Sequence, residues 1–373
     1  MTSSFSLPTA GRAVSLIVPL LLALAAPVPA HAYDNVALAR RAYSKLILPG
    51  YARFAETART FAARADALCR APSTTALTDA RAAAKSALLA WGRIEPIRFG
   101  PITASQRLER LLFFPDPHHV ADRQIARLLS AKNGDATTRE RLAGASVAVQ
   151  GFGAVDVALY GPGSDALATT DPAGAFRCRY LSALASSIAD IATEVKSEWS
   201  GIYARTWLNP GGDNAAYLSA GETTQALYRA YVTELDVLRL HRLAPMLGSD
   251  GKISKSPSLL RHSGLAVAFI LAGIEGERDM LGEKGFLVDV PSADEKEEAA
   301  RAILESAATD LGFAARAGEA AEALQAAGGK PHDELRSRLV AMGASLDNVD
   351  VVSRPALRDL TGQSLGFNSL DGD

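Results

Sequence analysis

The sequence predicts an all-α fold packed as two helical bundles, and three observations carry that prediction. Apolar residues step by three and four along most of the chain, the period of a helix with one buried face. No convincing run alternates apolar and polar residues as a half-buried strand does. Breaks rich in Gly, Pro and Asn separate the periodic stretches, and one near the middle follows a long helix.

In chain order, the first 32 residues read as an export signal. Arg12 supplies a positive start, Ala13 to Ala26 is a predominantly apolar run with a single Pro19, and Ala30-His31-Ala32 offers a small-residue cleavage site. Cleavage is expected after Ala32, leaving Tyr33 as the first mature residue. The apolar run is about 14 residues long, short of the roughly 20 that a spanning helix needs. No cysteine near the cleavage site offers a lipid anchor. Later, "LAVAFILAGI" (265–274) fits a buried core helix, so no transmembrane segment is expected in the mature chain.

Four apolar stripes follow. Tyr51, Phe54, Ala58, Phe61, Ala65 and Leu68 make the first, with Pro49-Gly50 expected as a break before it. Leu77, Arg81, Ala84, Leu88 and Trp91 make the second. Leu181, Leu184, Ile188, Ile191 and Val195 make the third, and Leu227, Tyr231, Leu235 and Leu238 the fourth. Residues 292–326 are rich in Ala and Glu and predict a further helix with a solvated face. Breaks fall at 161–172, 209–222 and 248–257. The middle one is expected to be the domain boundary, giving a first bundle at 33–205 and a second at 215–373. "IEPIRFGPI" (94–102) aligns with "LRLHRLAPM" (238–246), matching Arg98 to Arg242 and Pro101 to Pro245. An internal duplication would explain the match, and so would chance.

Charge and cysteine usage narrow the function. Lys and Arg total 39 against 41 Asp and Glu, with no basic block, so nucleic acid is not an expected partner. The two cysteines, Cys69 and Cys178, allow one intramolecular disulfide, which export to an oxidising compartment favours. A buried pair of free thiols is the alternative.

Two stretches conflict with simple helix packing. In "LLAWGRIEPIRFGPI" (88–102), the stripe through Trp91 carries forward to Glu95 and Arg98, while Pro96 kinks or breaks a continuing helix. A kink would aim Trp91, Glu95, Arg98 and Phe99 into a cleft; a plain Glu95–Arg98 pair at i, i+3 is the alternative. "SVAVQGFGAVDVALYG" (146–161) reads as a buried helix carrying Gly151, Gly153 and a carboxylate, Asp156, on its apolar face. A buried carboxylate must be paired, hydrogen-bonded or metal-bound. A glycine-mediated helix crossing with Asp156 paired to an arginine serves equally, and Arg98 is the arginine expected to hold it. None of His118, His119, His241, His262 and His332 has metal-ligand spacing, and His118-His119 reads as a solvated loop pair. The chain has no P-loop, no G-x-S-x-G and no dinucleotide fingerprint.

In "AWGRIEPIRFGPI", "RLERLLFFPD", "GASVAVQGFGAVDVALYG", "FRCRYL" and "RHSGLAVAFILAGIEG", taken in this order, the chain resembles the imelysin family of exported bacterial proteins. The resemblance implies two helical bundles with a cleft between them and a link to iron uptake in the periplasm or envelope. The family's signature, G-x-H-x-x-E, has been assigned to a metallopeptidase. Here Gly153 occupies the histidine position and Asp156 the glutamate position, as in a subgroup that lacks the histidine. A metal-activated water needs about three protein ligands, so the altered motif argues against peptidase chemistry.

These readings combine into an expected periplasmic binding or accessory protein associated with iron acquisition, with no assigned catalytic residue. A small ligand or metal, iron or another divalent ion, would sit in the interdomain cleft near Trp91, Glu95, Arg98, Phe99, Gly153 and Asp156, with iron-uptake proteins of the envelope as partners. A metallopeptidase with an altered metal-ligand set is the alternative, and a helical interaction scaffold is a third.

Overall fold

Helices account for nearly all regular structure in the computed structural model, which describes residues 1–2, 33–116, 118–132, 134–248, 253–254, 259–287, 294–328 and 332–364. Among these residues there is no strand, only an isolated bridge between Leu247 and Ile253. The all-α expectation therefore holds. The expected signal peptide and its cleavage site lie outside the described residues. No helix among the described residues is long and apolar enough to cross a membrane.

The first half contains α1 (Asn35–Arg41), α2 (Leu48–Arg70), α3 (Thr74–Ile94), α4 (Arg107–Leu111), α5 (Val120–Ala131), α6 (Arg139–Ala143), α7 (Gly151–Tyr160), α8 (Pro172–Ser200) and α9 (Ile202–Leu208). The second half contains α10 (Ala220–Asp236), α11 (Ala266–Leu281), α12 (Glu295–Ala326) and α13 (His332–Thr361). Helix α2 packs against α3 and α8, and α7 lies on α8. Helices α12 and α13 form a long hairpin covered by α11 and α10. The halves meet where α11 packs on α3, and where α1 packs on α10.

The stripes read from the sequence are the buried faces. Tyr51, Phe54, Phe61 and Leu68 of α2 are fully buried, as are Leu184 and Val195 of α8 and Tyr231, Leu235 and Leu238 along α10 and its continuation. Polar caps fix several helix starts: Ser73 accepts the Ala76 amide at α3, and Asp294 accepts the Lys296 amide at α12. Cys69 at the end of α2 is disulfide-bonded to Cys178 of α8, with Cα atoms 5.5 Å apart.

Three local expectations need correction. Pro49-Gly50 does not break the chain. Pro49 sits in the first turn of α2, directly after a π-helical turn, Ala42–Ile47, that carries α1 into α2 without a break. The helix through Trp91 does not continue as a kinked helix to Arg98. It ends at Ile94, because Pro96 has no N–H to give the carbonyl of Gly92. Gly92 instead lets α11 approach, since a Cβ there would lie 2.7 Å from the Phe269 ring. Finally, 146–161 is not one helix. Val147–Val149 is a 3-10 turn, Gln150 is extended, and α7 starts at Gly151, whose φ is +69°.

Candidate functional site

Two neighbouring arrangements use the unusual residues. The first is a buried ionic network at the junction of the two halves. Glu95 caps the end of α3, and Arg242 comes from the π-helical segment Val237–Leu243 that continues α10. Arg242 Nη2 donates to both Glu95 oxygens at 2.7 and 2.8 Å, and its Nη1 donates to Glu234 Oε1 at 3.2 Å. Glu234 Oε2 lies 3.5 Å from Arg98 Nη1. The Arg242 guanidinium also stacks 4.4 Å from the centre of the Phe269 ring.

Burial dominates the proton affinities here. It pushes the fully buried Glu234 up to about 7; Glu95 pushes the same way, against Arg242 and Arg98. Glu277 of α11 is pushed far above the carboxylate range, first by burial and then by Glu234. Neither Glu277 oxygen has a hydrogen-bond partner among the described residues. With Glu277 neutral, the carboxyl groups of Glu95 and Glu234 are the ones that face the Arg98 and Arg242 guanidiniums.

The second arrangement surrounds Asp156. Its Oδ2 accepts the His262 amide at 3.0 Å and its Oδ1 accepts the Ser263 amide at 2.9 Å. Burial raises its proton affinity, and the hydrogen bonds from Ser263 and His262 only partly oppose that. The expected Asp156–Arg98 pair does not form. Arg98 goes to Glu234, and the charge of Asp156 is met by two backbone dipoles. Gly153, one turn earlier on α7, faces open space, with nothing within 4 Å of where a Cβ would stand. Gly153 and Asp156 line a cavity of about 110 Å³ with Phe114, His119, Asp122 and Arg261. Arg261 pairs with Asp122 at 3.1 Å. Phe114 divides this cavity from the ionic network, its ring centre lying 5.6 Å from the Arg242 guanidinium.

Of the six residues nominated from the sequence, Gly153 and Asp156 share this cavity, and Glu95 and Arg98 share the ionic network. Trp91 is buried against Phe54, with ring centres 5.4 Å apart. Phe99 stacks on Trp207 at 5.2 Å. Sequence reasoning missed Glu234, Glu277 and the Ser263 amide. Glu234 was detectable, since it falls three residues after Tyr231 on the α10 stripe. Arg242 stood out only as the repeat partner of Arg98.

The family model Imelysin (Peptidase M75) matches residues 47–327, and the chain belongs to that family. An imelysin-like protein from Psychrobacter arcticum 273-4 shares the fold, with a TM-score of 0.72 and 19% identity, over 90% of this chain and 99% of that one. So does a putative iron-regulated protein A precursor from Parabacteroides distasonis ATCC 8503, with a TM-score of 0.62 and 14% identity, over 87% and 96%. None of the curated proteins compared matches the chain. The family's peptidase label implies a metal, and the residues here do not fit one. Both Asp156 oxygens are taken by backbone amides, position 153 has no side chain, and no three His, Cys, Asp or Glu among the described residues form a metal-holding group.

Proposed function

We propose that this chain is an exported periplasmic binding or accessory protein, associated with iron acquisition, that works without peptide-bond hydrolysis. The observation that carries the reading is the state of the signature stretch: Gly153 offers no donor, and Asp156 clamps the backbone at 262–263 instead of presenting free oxygens. The name of the Parabacteroides protein, iron-regulated and a precursor, supports the link to iron and to export. The division into bundles at 33–205 and 215–373 belongs to the same reading. The ligand site is the cavity at Gly153 and Asp156, whose volume suits a small ligand the size of about three waters. Trp91 and Phe99 serve as packing residues, and Glu95 and Arg98 as members of the ionic network, outside the lining of that cavity. Metal analysis of protein purified from the periplasm, with a peptide-hydrolysis assay, tests the reading. Expected are a mature N-terminus at Tyr33, no hydrolysis, and higher protein levels under iron limitation. Stoichiometric zinc or iron accompanied by hydrolysis would overturn it in favour of the metallopeptidase.

A further inference from the structure

On the other side of the turn that Asp156 clamps lies a much larger cavity, of about 830 Å³. The two spaces share the 259–264 segment. Asp156 holds the Ser263 amide, and Ser263 and Leu265 line the large cavity. The remaining wall comes from Lys85 of α3, from Glu322 and Gln325 near the end of α12, and from Leu335 and Arg336 in the first turns of α13. This volume falls in the range of small-molecule sites, which combine apolar walls with a few polar groups.

The polar groups are unevenly satisfied. Lys85 and Glu322 pair at 3.0 Å and cancel each other. Among the described residues Arg336 has no acidic partner, and its buried Nε has no acceptor. The buried Gln325 Oε1 has no donor among the described residues. Asp333 stands exposed on the rim. A buried donor and a buried acceptor left open in one cavity are costly unless something answers them. Their complements are an anionic group for Arg336 and an N–H or O–H for Gln325, while Leu265 and Leu335 supply an apolar surface.

We propose that this cavity binds an amphipathic organic anion that carries a hydrogen-bond donor close to its charged group. Arg336 takes the anion, Gln325 takes the donor, and the apolar body lies against Leu265 and Leu335. The site goes beyond the proposed function, because it lies outside the signature cavity and needs no metal.

The probe is 8-anilinonaphthalene-1-sulfonate, which has a sulfonate, a secondary amine N–H and fused rings, and which fluoresces in apolar surroundings. Its uncharged analogue N-phenyl-1-naphthylamine lacks the sulfonate. The expected result is saturable binding of one sulfonate probe per chain. Arg336→Gln weakens that binding tenfold or more and leaves the uncharged probe unchanged. Ala326→Trp, an exposed position on the cavity wall, weakens both probes tenfold or more by filling space. Arg338→Gln, on the exposed face of α13, changes neither. Circular dichroism confirms that each variant folds. Absence of saturable binding, or binding indifferent to both Arg336→Gln and Ala326→Trp, overturns the proposal and leaves the metal and hydrolysis test of the proposed function standing.

Discussion

Arg242 and Glu95 lie 147 residues apart and meet as a fully buried ion pair, 2.7 Å from Nη2 to Oε1, at the junction of the two halves. The same guanidinium serves Glu234, so one cation holds two carboxyl groups away from water. Removing one member of a buried pair strands the other charge, which costs about 3–5 kcal/mol. Arg242→Met should therefore lower stability by about that amount in chemical denaturation. Adding Glu95→Leu to Arg242→Met should recover part of the loss. Equal and additive losses from the two changes would show that the pair is not coupled.

Glu277 gives a prediction with a sign in pH. Burial raises its folded-state pKa, whereas the unfolded chain ionises near the ordinary glutamate value of about 4.3. Above that value the folded state binds more protons than the unfolded state, so stability falls as pH rises, by up to about 1.4 kcal/mol per unit. Glu277→Gln removes this dependence. Its melting temperature should exceed that of the parent at pH 8 by more than at pH 5. A variant destabilised equally at both values would mean that the folded protein carries Glu277 ionised.

The two glycines of the signature stretch should respond in opposite directions. Gly153 lies within α7 beside open space, so Gly153→Ala should stabilise by about 0.5–1 kcal/mol through the better helix former. Gly151 has φ +69°, and a Cβ there would stand 2.1 Å from the Leu111 carbonyl oxygen. Gly151→Ala should destabilise by more than about 1 kcal/mol. Denaturation midpoints of the two variants decide this, and two shifts of the same sign would contradict the geometry.

Asp156→Asn should cost about 1–3 kcal/mol, the penalty for leaving one buried amide without its acceptor. This is less than the loss expected for a broken Arg98–Asp156 pair. Hydrogen exchange should quicken at the His262 and Ser263 amides and leave α8 unchanged. An unaltered denaturation midpoint would mean that Asp156 does not hold the 259–264 turn.

The candidate site was legible where it obeyed local rules and hidden where it depended on distant partners. Asp156 and Glu95 stood out because a carboxylate on an apolar stripe has to be explained. Their partners did not, because backbone amides at 262–263 carry no sequence signal, and Arg242 was marked only by its alignment with Arg98. Pro96 was visible as a conflict, yet a proline can either kink or end a helix, and only the structure shows that α3 ends at Ile94.

By itself, the sequence determined the helical class, the buried faces of α2, α8 and α10, and the absence of a side chain at position 153. Those follow from side-chain periodicity and residue identity, which are local. The tertiary structure alone decided that Arg98 answers Glu234, that Asp156 clamps a turn more than 100 residues away, and that α11 lies on α3. A buried charge is satisfied by whatever group reaches it in space, and the packing of the two halves sets which group does.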